Sequence, residues 1–189
     1  MSLAQMILLG QEDSQIRASL GEGADPNETD LDGSPVIAIA VGLGADSVVE
    51  LLLSAGARVD AVDGDGETAL HRAALVSNVK AIDLLVRAGA NVNARSSTGK
   101  TPLILASTMG HTDACRALHE AGADARIVDE SGRDALHWAV LRNDKADLVR
   151  FLIGIGANAK RPDSYGQTAI DLARIAGHAV ALDIVQSAD

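Results

Sequence analysis

His111, Cys115 and His119 stand four residues apart in succession, a spacing that lines them along one side of a helix and offers imidazole and thiolate ligands to zinc. No fourth ligand is evident, and packing is the better account of the same three side chains. Ser131, Asp134 and His137 supply the residue types of a hydrolase triad. They fall, however, at a loop-to-helix start, where serine or aspartate caps free backbone N–H groups, so Asp134 is expected to brace His137. Thr98-Gly99-Lys100-Thr101 looks like the end of a phosphate-binding loop, yet Ala94 occupies the place of its first glycine. Val36 to Ser47 imitates a strand entering a dinucleotide-binding turn, with Asp63 downstream, but its third glycine is Ser47. The fragments are each incomplete, so the chain reads as non-catalytic, with no catalytic residue, metal or cofactor expected.

The elements that hold these residues repeat. Gly-Ala recurs at Gly23-Ala24, Gly56-Ala57, Gly89-Ala90, Gly122-Ala123 and Gly156-Ala157, with spacings of 33, 33, 33 and 34. A second glycine, at Gly33, Gly66, Gly99, Gly132 and Gly166, keeps the same step. After each loop glycine comes a short helical pattern, as in Thr68 to Ala74, then a second apolar helix that closes at Gly-Ala, where glycine takes the left-handed conformation. Each unit is loop, helix, turn, helix. One such hairpin exposes apolar residues on both flanks, and stacking buries them, so the spacing predicts a solenoid. The register also accounts for the fragments: Gly44 aligns with Gly110 and Gly177, and Cys115 with Val49 and Val149.

Asp63-x-x-Gly66-x-Thr68-Ala69-Leu70-His71-x-Ala73-Ala74, Thr101-Pro102-Leu103, Gly110-His111, Gly177-His178 and Gly89-Ala90-Asn91-Val92-Asn93-Ala94 closely resemble ankyrin repeats over residues 28 to 186. The resemblance implies an all-α solenoid of stacked helix-turn-helix units with hairpin tips. Residues 1–27 read as an N-terminal capping repeat; 28–60, 61–93, 94–126, 127–160 and 161–189 read as five repeats, the last C-terminal. Repeat four carries one extra residue, placed near Asn143-Asp144-Lys145. Pro35-Val36-Ile37-Ala38 stands where the family has Thr-Pro-Leu-His, while Ile104 and Asp171 stand at the histidine position, so those loops are expected to lack its bracing.

Composition narrows the function class. The 189 residues are 47% hydrophobic with only three aromatic side chains, Trp138, Phe151 and Tyr165, as suits small residues packing helix against helix. A net charge of −10 argues against nucleic acid and anionic membranes, and no apolar run is long enough to span a bilayer. The single cysteine and the absence of a signal-peptide pattern at the start make cytoplasm the expected compartment. Residues 1 to 60 hold ten acidic side chains against Arg17 and Arg58, so one end is markedly negative.

In the ankyrin family the turn tips and the outer side of each first helix form a concave recognition surface. Carried onto this sequence, that implies a protein partner meeting Asp32, Asp65, Glu67, Lys100, Met109, Arg133, Trp138 and Tyr165. The early tips are acidic, and the later ones bring in Arg95, Lys100, Arg126, Arg133, Lys160 and Arg161, a bipolar row that would orient a partner of opposite polarity. Trp138 reads either as an anchor or as packing between repeats. Leu43, Leu75, Val76, Met109, Leu141 and Ile175 read either as a contact stripe or as packing between first helices. The expected function is a monomeric adaptor or inhibitor. The alternatives are a metal-dependent protein or enzyme using the His111, Cys115, His119 face, and a structural array without a dedicated partner.

Overall fold

The structure, a computed structural model, describes residues 1–188. Its helices follow one another in pairs: α1 (Leu3–Leu8) with α2 (Asp13–Gly21), α3 (Val36–Gly42) with α4 (Asp46–Ser54), α5 (Ala69–Leu75) with α6 (Val79–Arg87). Then come α7 (Pro102–Met109) with α8 (Thr112–Glu120), α9 (Ala135–Arg142) with α10 (Ala146–Gly154), and α11 (Ala169–Ala176) with α12 (Ala179–Ser187). Inner helices α1, α3, α5, α7, α9 and α11 pack side by side in one layer, and each touches its outer partner behind. No named strand occurs among the described residues; the finger-like tips carry only the isolated bridges Thr29 to Pro35 and Val62 to Thr68.

Side-chain size sets this close stacking. Ala69, Ala73, Ala106, Ala135, Ala139, Ala169 and Ala173 are buried along the inner helices, where a larger side chain would hold neighbours apart. The outer helices contribute the bulk: Val49, Leu52, Leu85, Leu118, Val149 and Leu152 are buried beneath them in one continuous cluster. Every inner helix but α3, which follows Pro35, starts on a side-chain cap. Thr68, Thr101 and Thr168 each accept from the backbone N–H three residues on, which satisfies a donor the helix leaves free.

The histidine position behaves differently in each loop. His71 Nδ1 accepts from the Thr68 backbone N–H at 3.1 Å, and its Nε2–H donates to the Lys100 carbonyl at 3.0 Å, tying one pair to the next. Burial holds His71 below the usual imidazole range, with the Lys100 carbonyl pulling partway back. His137 lies between Asp134 Oδ1 at 2.7 Å and the Arg161 carbonyl at 3.0 Å. Asp134 thus braces His137 and caps α9, accepting from the Leu136 and His137 N–H groups through the same oxygen. Its other oxygen, Oδ2, is buried without a partner. Asp171 is not an empty substitution: its Oδ2 accepts from the Thr168 hydroxyl at 2.6 Å and N–H at 3.0 Å, which restores local bracing without the histidine's reach across the loop.

The inserted residue is absorbed where α9 meets α10. In the other five such turns a residue turns left-handed, at Gly10, Gly44, Ser77, Gly110 and Gly177. Asn143 is instead extended, at φ −141 and ψ 145. The longer turn reaches both neighbours. Asn143 Nδ2 donates to the Ser107 and Thr108 carbonyls, Lys145 Nζ donates to the Gly110 carbonyl, and Asp144 Oδ1 accepts from the Ala181 N–H.

Candidate functional site

The tips are built by one recurring carboxylate. Asp30, Asp63, Asp129 and Asp163 each use Oδ1 to accept from the backbone N–H groups two and four residues on, which folds the loop into a finger. In the last two fingers the second oxygen is put to further use. Asp129 Oδ2 accepts from Trp138 Nε1 at 2.7 Å, and Asp163 Oδ2 accepts from Arg133 Nε at 2.7 Å. Gln167 Oε1 accepts from Arg133 Nη2 at 3.2 Å and completes the clamp on that guanidinium. Burial opposes ionisation of Asp163, but the Arg133 hydrogen bond and the Gln167 and Tyr165 N–H groups outweigh it and hold the carboxyl below its usual range.

These anchors assemble a row of alternating cations and rings. Lys100 Nζ lies 4.3 Å from the Trp138 ring centre, Arg133 Cζ lies 5.5 Å from the same ring, and Arg133 lies 5.6 Å from the Tyr165 ring. Each contact is a cation over an aromatic ring, contributing about 0.5–1 kcal/mol at a surface of this kind. Trp138 is half-buried with its indole N–H satisfied, while Tyr165 is 72% exposed. The row therefore crosses three fingers and presents one aromatic face outward. Trp138 joins neighbouring loops, bonded to Asp129 of the fourth finger and lying under Lys100 of the third.

Of the eight residues expected to meet a partner, four converge here: Lys100, Arg133, Trp138 and Tyr165. Asp32 and Asp65 are exposed on the first and second fingers. Glu67 is half-buried below the second; burial and then Asp63 raise its pKa above the usual carboxylate value, and Arg72 and Lys100 oppose this. Met109, 48% exposed, sits at the far end of α7 from Lys100. It continues an exposed apolar line with Leu43 and Val76 that stops at Arg142, whereas Leu141 packs on the core. Sequence reasoning missed Asp129, Asp163 and Gln167 as the positioning residues. The register of Asp129 and Asp163 with Asp63 in the loop motif was the available signal.

Several of the later cations of the finger row are held by groups of the protein itself. Arg95 Nη1 donates to the Val128 carbonyl and Arg161 Nη1 to the Arg126 carbonyl, each at 2.8 Å, while Arg126 pairs with Asp124 and Arg133 with Asp163. Long guanidinium side chains reach across to neighbouring loops instead of projecting outward.

The fragments that suggested metal or acyl chemistry are committed elsewhere. His111 Nε2 donates to the Leu75 carbonyl at 3.1 Å, and His119 meets the Phe151 ring edge to face at 5.8 Å. Cys115 is fully buried beside Ser107, and burial pushes its thiol up to about 11, which disfavours the thiolate a metal needs. Among the described residues no group of three or more His, Cys, Asp or Glu side chains is arranged to hold a metal ion. Among them, too, no helix is long and apolar enough to cross a membrane.

A family model described as ankyrin repeats, in three copies, matches residues 3–96, 37–129, 88–163 and 114–187 in overlapping registers. No curated protein matches the chain. Repeats of this kind are non-catalytic scaffolds that generally serve protein–protein interaction. The overlapping matches run almost the whole length of the helix pairs just described, and the chain belongs to the ankyrin repeat family.

Proposed function

We propose that the protein is a non-catalytic adaptor or inhibitor that binds a partner protein across its inner-helix face and finger tips. The observation that carries this reading is the Lys100, Trp138, Arg133, Tyr165 row, held at the surface by Asp129 and Asp163. Aromatic and arginine side chains dominate interface energetics when they sit in pre-positioned clusters. Here the Trp138 ring and the Arg133 guanidinium are fixed before a partner arrives, which lowers the ordering cost of association. The Leu43, Val76, Met109 line extends the same surface with apolar area. Asp32, Asp65 and Glu67 bring negative charge at the other end, favouring a partner that presents positive charge there. A single copy acting in the cytoplasm fits the acidic, disulfide-free composition.

A photo-crosslinking amino acid placed at Tyr165 or Met109, and in a control at Arg87 on α6, tests the surface in cells of the native source. One discrete partner band shared by Tyr165 and Met109 and absent at Arg87 is expected. With that partner in hand, reversing the charges of Asp65 and Glu67 should slow association and flatten its salt dependence. Crosslinks arising only from Arg87, or association unchanged by the reversals, would overturn the reading.

A further inference from the structure

The first finger, Thr29 to Pro35, stands apart from the four that follow. Fingers two to five are tied tip to tip: the Ser97 N–H donates to the Asp65 carbonyl at 2.8 Å, Glu130 to Thr98 at 3.1 Å, and Ser164 to Ser131 at 2.9 Å. Their loop glycines abut the next finger so closely that a Cβ on Gly66, Gly99 or Gly132 would lie 3.0, 3.1 or 2.8 Å from the next backbone nitrogen. A Cβ on Gly33 would meet nothing within 4 Å. Among the described residues no tip-to-tip hydrogen bond joins the first finger to the second.

Open grooves flank this free finger. On the α1 side a cavity of about 430 Å³ has Ala4, Leu8 and Leu31 as its apolar wall and Glu28, Asp30 and Asp32 on its rim. On the α5 side a second, of about 310 Å³, runs from Asp30 past Ile39 and Leu43 to Val76. Leu31 at the tip is fully exposed, at 105%. A leucine so placed, between two apolar grooves, gains nothing from its own fold.

The charge indicates what would cover it. The Glu28 oxygens accept from the Leu3 and Ala4 N–H groups, and Asp30 Oδ1 from those of Asp32 and Ser34. Those donors are neutral, so the carboxylates are held in place with their charge uncancelled. Asp163, by contrast, is paired with Arg133. The first finger therefore keeps its negative charge available to a partner, within the segment whose acidic residues outnumber its arginines ten to two.

We propose that the groove between α1 and the first finger docks a basic amphipathic segment of a partner protein. Its apolar side chains close over Leu31 and Leu8, and its lysines or arginines face Glu28, Asp30 and Asp32. This site lies at the first-finger end of the array, and it stands or falls separately from the surface around Trp138.

The test titrates the full chain, isotopically labelled, with a synthetic peptide that places leucine and lysine at helical spacing, and with its leucine–glutamate counterpart. Amide shifts confined to residues 4–8 and 28–34 are expected with the lysine peptide alone. Leu31→Ser should weaken binding about tenfold, the loss of one buried leucine. Asp32→Asn should weaken it about threefold, with the difference fading as salt rises. Both side chains are exposed, so circular dichroism should show the fold intact. Glu12→Gln, the same change of net charge at the start of α2, should bind as the unaltered chain does. Shifts spread over the acidic surface or centred on Trp138, equal response to the glutamate peptide, or full binding by Leu31→Ser and Asp32→Asn would each overturn the proposal. So would a Leu31-dependent dimer in sedimentation of the chain alone, which would give the groove to a second copy.

Discussion

Alanine at Gly132 and alanine at Gly33 separate the two costs that a loop glycine can hide. Both residues are left-handed, at φ +73 and φ +80, so each alanine carries the same backbone penalty of about 1 kcal/mol. Only Gly132 faces a neighbour: a Cβ there would lie 2.8 Å from both the backbone nitrogen and Oγ of Ser164. Ser164 must then retreat, which breaks its 2.9 Å hydrogen bond to the Ser131 carbonyl and costs about 1 kcal/mol. Asp163 retreats with it, loosening the 2.7 Å bond to Arg133, for about 1 kcal/mol more. The expected losses are about 1 kcal/mol for Gly33→Ala and about 3 kcal/mol for Gly132→Ala, or about 3 °C and about 9 °C in melting temperature. Circular dichroism measures the whole array, while Trp138 fluorescence reports the fifth pair alone. The fluorescence midpoint should drop below the dichroism midpoint only in Gly132→Ala, because repeat arrays can lose cooperativity locally. Equal losses in the two variants would refute the idea that the later fingers are locked tip to tip.

Asp134→Thr should stabilise the chain by about 1 kcal/mol in urea unfolding, because it removes the orphaned Oδ2 while keeping the cap that Thr68 makes to His71. Cys115, its thiol raised to about 11 by burial, should resist a disulfide reagent at neutral pH in the folded chain and react at once in denaturant. His71 takes up a proton less readily folded than unfolded. Its contribution is thus complete above about pH 6.5 and lost as pH falls below that value; replacing it with isoleucine, the residue at Ile104, should flatten the slope of stability between pH 7 and pH 5. Arg126→Asn should add about 0.5–1 kcal/mol by giving the Asn158 N–H an acceptor like those that Asn27 and Asn93 give Arg58 and Asp124; an unchanged unfolding midpoint would show that the rung is dispensable.

The period of 33 and its two glycine markers carried the fold, since a helix pair with apolar flanks has only stacking as a way to bury them. Local chemistry was also legible. Asp134 caps α9 and braces His137 as its place before the helix suggested, and Cys115 packs like Val49. Side-chain reach was not legible. Arg95 and Arg161 read as free positive charges in the sequence, yet a guanidinium long enough to cross one loop finds the next carbonyl, and only the loop spacing decides that it does. Likewise the motif marks Asp129 and Asp163 as turn formers. Their second oxygens depend on where Trp138 and Arg133 arrive, and for Asp163 that is a relation between different fingers that no single repeat encodes.

The two ends of the finger row differ in the freedom left to them, and this bears on how a partner would be met. Fingers three to five are joined by backbone bonds and share a clamped guanidinium between two rings. A surface fixed in this way loses little entropy on binding, so its contribution lies in how long a complex lasts. The first finger has no tip bond to its neighbour, carries a bare leucine and keeps its negative charge uncancelled. Unpaired charge acts at a distance and governs encounter more than lifetime. A partner touching both ends would be attracted through the first finger and retained through the Trp138 row. Substitutions at Asp32 should then appear in the association rate, and those at Trp138 or Asp129 in the dissociation rate. A partner whose two rates respond together to both sets would show that the row works as one surface despite the break after its first finger.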